Sequence, residues 1–251
     1  MNKFFQNNLT PIIKKTLNPR IGVITLSTDF TIEQDFRKIC HGLNLDLFFN
    51  RIPFSNPLNH ENYVKMAKNI PEVTEQILPN QTIDVIAYGC TSGTIAVGED
   101  YITDQIHKKK PNALVTTPIT AALKAFNELN FKKIAVLTPY PKEVNLTVFN
   151  YLKKNNIEID SFSSFNLNYD SEIAQVSLDS LLEEISKINL DKVDGLFVSC
   201  TALKIVEILE IVEKKLKTTV VSSNQAIIWD CLRLANIKTN IKGYGKLLEM
   251  Q

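Results

Sequence analysis

The chain has 251 residues, 44% of them apolar and 22% charged, with a formal charge of +1. Such a chain can bury one large core or two small α/β ones, and the balance gives no electrostatic reason to expect nucleic acid or an acidic membrane as partner. No apolar run reaches the roughly eighteen residues of a membrane span, and the opening MNKFFQNNLTPIIKKTLNPR lacks a signal-peptide core, so a cytoplasmic protein is expected.

After an N-terminal extension of residues 1–19, RIGVITLSTDFTIEQDF from Arg20 reads as strand, polar loop and helix. DVIAYGCTSGT, Asp84 to Thr94, drives a second apolar run into a cysteine, two hydroxyls and a glycine. ALVTTPITAALKAFNELNF from Ala113 closes a first unit, residues 20–131. The order then repeats over residues 132–236. KIAVLTPYPKEVNLTVF from Lys133 echoes the first element, VDGLFVSCTALK from Val193 the second, and TTVVSSNQAIIWDCLRLANI from Thr218 the third. Matched positions lie 113 residues apart for Ile21 and Ile134, 110 for Cys90 and Cys200, and 105 for Leu114 and Thr219. Ordered recurrence at nearly one spacing indicates duplication. The expected fold is α/β, with two pseudo-symmetric doubly wound lobes, each holding a mainly parallel four-stranded sheet, and a tail of residues 237–251 packing back.

Ligands of open parallel sheets bind outside the carboxyl ends of the strands, where both Cys-Thr turns fall. Facing lobes would therefore bring Cys90 and Cys200 to opposite sides of one cleft. A thiolate and a thiol on opposite faces of a carbon beside a carboxylate can exchange base and acid roles and invert it. A thiol's ordinary pKa of about 8.5 is expected to fall at a helix N-terminus, and Thr91, Ser92, Gly93, Thr201 and Ala202 supply candidate starts. Their N–H groups and hydroxyls can also hold a carboxylate and the enediolate formed from it. Thr91 and Thr201 read equally well as simple helix caps. Cys40 and Cys231 fall inside helical patterns and read as buried hydrophobes, and His41, His60 and His107 lie away from strand ends. No CxxC pair or Cys/His cluster has metal spacing, so four free thiols and no metal are expected.

With these turns in view, the chain resembles the aspartate/glutamate racemase superfamily over nearly its whole length. YGCTSGT, LTPYPKEVN and SCTALK with VVSSNQAIIW are most similar to its maleate cis-trans isomerase and arylmalonate decarboxylase branch, and within that to the racemase-like protein of ectoine utilisation. The resemblance implies cofactor-independent catalysis on a small carboxylate, with Cys90 as nucleophile or base, Cys200 as proton donor and Tyr140 on a substrate carboxylate. It also implies a homo-oligomer. Decarboxylases of the branch usually have glycine at the first cysteine, so Cys90 argues against simple decarboxylation. Where maleate isomerases tend to have asparagines, this chain has Asp29 and, by a looser alignment, Asp170. These aspartates point to a cationic group on the substrate or, alternatively, merely cap helices. A racemase or epimerase, acting on an amino-bearing or ectoine-derived acid, is therefore expected ahead of a maleate-type isomerase. A non-catalytic binder or a thiol redox sensor is the competing class.

Overall fold

The computed structural model describes residues 6–14 and 17–250. Strands β1 (Arg20–Leu26), β2 (Asp46–Ile52), β3 (Val85–Gly89) and β4 (Leu114–Thr116) form one sheet in the order β2-β1-β3-β4. Strands β5 (Lys133–Thr138), β6 (Glu158–Ser164), β7 (Gly195–Val198) and β8 (Val220–Ser222) form a second in the order β6-β5-β7-β8. Every pairing is parallel, so the two sheets are the duplicated, doubly wound units that the repeat implied.

The apolar runs explain which strands are central. β3 and β7 are buried along their whole length, as strands covered by helices on both faces must be. β2 and β6 mix charged and hydroxyl residues among apolar ones and lie half-buried at the edges.

Helices tie the sheets into one body by crossing over. Helix Pro118–Glu128, which follows β4, packs against β8, and its Phe126 ring meets Phe197 of β7 edge-on at 5.3 Å between centroids. Helix Ser223–Leu234, which follows β8, packs against β3 and β4 and against Pro118–Glu128 itself. Both start in a capping box, Thr117 with Thr120 and Ser222 with Gln225, which satisfies N–H groups that these buried ends could not give to water. Residues Ser223 to Leu232 are all buried.

A polar cluster sits where the helices cross. Asp230, fully buried, accepts from Thr116 Oγ1 at 2.6 Å, Lys124 Nζ at 2.8 Å and Arg233 Nη2 at 2.6 Å. Burial alone would raise its pKa, but these donors hold it below the ordinary carboxylate value. Near the C-terminus, Leu247 and Leu248 are buried and Gln225 Nε2 donates to the Tyr244 carbonyl at 2.7 Å. No helix among the described residues is long and apolar enough to cross a membrane.

Candidate active site

The two cysteines lie just past the carboxyl ends of the central strands, Cys90 directly after β3 and Cys200 two residues after β7. Cys90 is itself the N-cap of helix Thr91–Val97, its Sγ accepting from Gly93 N–H at 3.2 Å. Only glycine permits this approach, since a Cβ on residue 93 would stand 2.7 Å from that sulfur. Cys200 is built differently. No helix begins at Thr201 or Ala202, against the sequence expectation; the next helical residues are Val206–Ile208. Instead Cys200 adopts a φ of +123°, rare for a side-chain-bearing residue, and its Sγ accepts from Ala202 N–H at 3.4 Å.

One hydroxyl joins the two turns. Ser223 Oγ accepts from Thr91 Oγ1–H at 3.0 Å and from Cys200 N–H at 3.0 Å. Thr201 Oγ1, in turn, sits between the Gly89 carbonyl at 3.4 Å and the Asp29 carboxylate. The two cysteine turns therefore meet at one buried junction between the lobes, with Thr91, Ser92 and Thr201 all buried there. The alternative that Thr91 and Thr201 serve as N-caps fails, because Cys90 holds that place in one turn and no helix follows in the other.

Tyr140 joins the cluster from the loop after β5. A surface loop position is excluded by its 2% exposure; its side chain lies beside the Cys200 thiol. The EVN stretch explains how the loop is fixed: Asn145 Nδ2 donates to the Tyr140 carbonyl at 2.7 Å, and Thr138 Oγ1 donates to Asn145 Oδ1.

Asp29 both caps a helix and lies beside Thr201 and Asp170 at the junction of the lobes. Its Oδ1 accepts from Thr31 N–H at 2.7 Å and Ile32 N–H at 2.9 Å, at the start of helix Ile32–Ile39. Asp170, the first residue of helix Asp170–Ala174, reaches across the lobes to accept from Thr28 Oγ1 at 2.5 Å, so it is not the cap of that helix. Both carboxylates are at least 95% buried, and among the described residues neither has a Lys, Arg or His at ion-pair distance. Burial raises Asp29 to about 6 against its backbone donors, and it raises Asp170 as well.

The thiols follow the same physics, and here the sequence expectation is overturned. Burial pushes Cys90 up to about 12, opposed by Gly93 N–H and assisted by the charges of Asp170 and Asp29. Cys200 is raised further by burial, with Asp170 again adding to it. Desolvation outweighs one N–H contact and holds both thiols toward the neutral form.

Tyr63 and Ser223 carry no signal that sequence reading singled out as part of the site. Tyr63 lies on helix His60–Ala67, stacked on Phe54 at 5.4 Å; its buried hydroxyl lies beside Ser92 without a hydrogen bond of ordinary geometry. Ser223 was visible only as the second serine of SSNQA, following the fourth strand of its sheet. Cys231 lies in helix Ser223–Leu234, as expected, whereas Cys40 is the residue that ends helix Ile32–Ile39; both are buried, and all four cysteines are free thiols. His41 and His60 are exposed and His107 bonds the Ala113 carbonyl, so no histidine faces the thiols.

Fold and site thus define a class: a two-lobed parallel α/β protein with one cysteine turn per lobe, the two turns joined at a buried interlobe junction. The chain belongs to the arylmalonate decarboxylase family, whose model matches residues 55–248. It is 21% identical to the maleate isomerase of Alcaligenes faecalis over 247 residues, covering 91% of this chain and 96% of that one. To the arylmalonate decarboxylase of Bordetella bronchiseptica it is 28% identical over 137 residues, 53% of this chain and 57% of that one. The fold matches a cysteine-to-serine variant of the Nocardia farcinica maleate cis-trans isomerase that holds a covalently bound succinylcysteine intermediate. That match has a TM-score of 0.86 and 19% identity over 93% of this chain and 99% of that one.

Proposed function

We propose that the protein is a cofactor-independent cysteine isomerase, with Cys90 and Cys200 as its acid–base pair. The observation that carries this reading is the buried junction at which Ser223 links the two cysteine turns across the lobes. One thiolate removes the proton from a carbon beside a carboxylate, and the opposite thiol delivers its proton to the other face. The carbon is inverted and the two sulfurs have exchanged protonation states. Thr91, Ser92, Thr201 and Tyr140 hold the substrate carboxylate and, on deprotonation, the enediolate.

The two aspartates favour a substrate that also carries a cation. Two buried carboxylates without a cationic partner add to the burial that raises the thiols; an ammonium bound between them removes that added effect and shifts the thiols toward the thiolate. A second dianion in the same space does the opposite. Racemisation or epimerisation of a small amino acid, ectoine-derived compounds included, is therefore the preferred reaction. Maleate-type cis-trans isomerisation is the second reading, supported by the relatives' own activity and by a carboxyl raised to about 6 at Asp29, which can be neutral in mild acid.

A panel of amino acids and of maleate, incubated in D₂O with wild type, Cys90→Ser and Cys200→Ser, tests both. Inversion of the α-carbon with deuterium entry, the inversion abolished in either serine variant, is the expected result. Fumarate formed from maleate without α-exchange of any amino acid selects the second reading. Activity that survives loss of either thiol refutes the two-cysteine mechanism.

A further inference from the structure

The backbone around Cys200 is held by more than Ser223. Beyond the N–H that Ser223 accepts, the next two carbonyls are taken up as well: Thr201 C=O accepts from Asn224 Nδ2 at 2.8 Å, and Ala202 C=O from Thr31 Oγ1 at 2.9 Å. Asn224 directs its other amide hydrogen to Asp35 Oδ2 in the opposite lobe, also at 2.8 Å. Its own Oδ1 is buried and has no hydrogen-bond partner among the described residues. A buried acceptor left unpaired is costly, and a rotated amide would pair its oxygen against two other acceptors. Asp35 therefore fixes the one orientation in which Asn224 can hold Thr201. Asp35 is buried on helix Ile32–Ile39, the same helix that Asp29 caps, so it is anchored from the far side of the crevice.

We propose that Asp35 and Asn224 are positioning residues for Cys200: together they clamp the Thr201 carbonyl and keep the positive-φ turn, and so the thiol, aimed into the crevice. The clamp exists only while the lobes are in contact, because its acceptor is in one and its amide in the other. This deepens the two-cysteine reading and rests on it. Relaxation of a positive-φ turn is the expected fate of Cys200 without the clamp, since no other donor among the described residues holds the Thr201 carbonyl.

The test reads the two thiols separately, by the rate at which iodoacetamide alkylates the Cys90 and Cys200 peptides, with Cys40 and Cys231 as internal controls. Asp35→Ala and Asn224→Ala should change the Cys200 rate relative to Cys90 by at least about threefold, while lowering kcat about tenfold or more with little change in KM. Asp35→Asn retains an acceptor for Asn224 and should restore most of both. The double variant Asp35→Asn with Asn224→Asp keeps a bond between the lobes but leaves Thr201 without its donor. It should recover thermal stability yet keep the altered Cys200 rate, and this variant decides the matter if the alanine variants do not fold. Equal changes at both thiols, or a Cys200 rate that follows stability alone, overturns the clamp. Because alkylation needs no turnover, that failure is distinct from failure of the two-cysteine mechanism, which appears as retained activity in Cys200→Ser.

Discussion

Asp29→Asn separates the two proposed substrates and tests the burial argument at the same time. Asparagine keeps the Oδ1 acceptor for Thr31 and Ile32 N–H, so the helix cap survives. What it removes is a buried titration. Burial raises Asp29 from its ordinary 3.8 to about 6, a shift that corresponds to about 3 kcal/mol. The native state keeps this proton at pH values where the unfolded chain has already lost it. That part of the stability is complete below pH 3.8 and is lost as pH rises through about 6. The asparagine variant has no such loss. Urea unfolding should therefore find the two proteins similar at about pH 4 and the variant up to roughly 3 kcal/mol more stable at about pH 7.5. Function should move the other way for an aminated substrate: losing a charge-assisted contact costs about 1.5–3 kcal/mol, or roughly ten- to more than a hundredfold in KM. Turnover of maleate, relieved of repulsion, should improve. A stability difference independent of pH would falsify the burial argument; robust wild-type maleate activity that the substitution leaves unchanged sinks the case for a cationic substrate.

Gly93→Ala puts a Cβ 2.7 Å from Cys90 Sγ and 3.0 Å from Met66 Cε. The thiol must move, so turnover should fall at least about tenfold and stability by about 1–3 kcal/mol; wild-type kinetics in this variant would show that the N–H contact to sulfur is dispensable. Asp230→Asn removes the charge that Thr116, Lys124 and Arg233 share and should cost about 2 kcal/mol at neutral pH without changing KM. Since the folded pKa of Asp230 is lowered, wild type should lose this advantage as pH falls through that lowered value, and a gap that persists in strong acid refutes the assignment.

The sequence was most legible where local pattern decides structure. Unbroken apolar runs such as those of β3 and β7 identify strands covered on both faces, and the paired Cys-Thr turns at one spacing mark where the two lobes meet. Legibility failed where long-range burial decides. The thiols were expected to be acidified by helix starts, yet only Cys90 has one, and desolvation dominates both. Asp29 was legible as either a cap or a crevice group and is both, which no pattern of neighbouring residues distinguishes. Ser223 and Asn224 were hidden for a different reason: their partners lie 132 and 189 residues away, and a serine-asparagine pair opening a helix looks like an ordinary cap.

The crossed helices bear on how such a chain can come together. Pro118–Glu128 covers β8 and β7, and Ser223–Leu234 covers β3 and β4, so each half carries the lid of the other half's core. A half-length polypeptide of this plan would expose an apolar sheet face and a buried-type helix with nowhere to go. Two copies exchanging that helix would close both faces and place two identical cysteine turns opposite each other. Within one chain the two turns need not be alike, and they are not: one sulfur rests on a helix start, the other on a backbone bent against its preference.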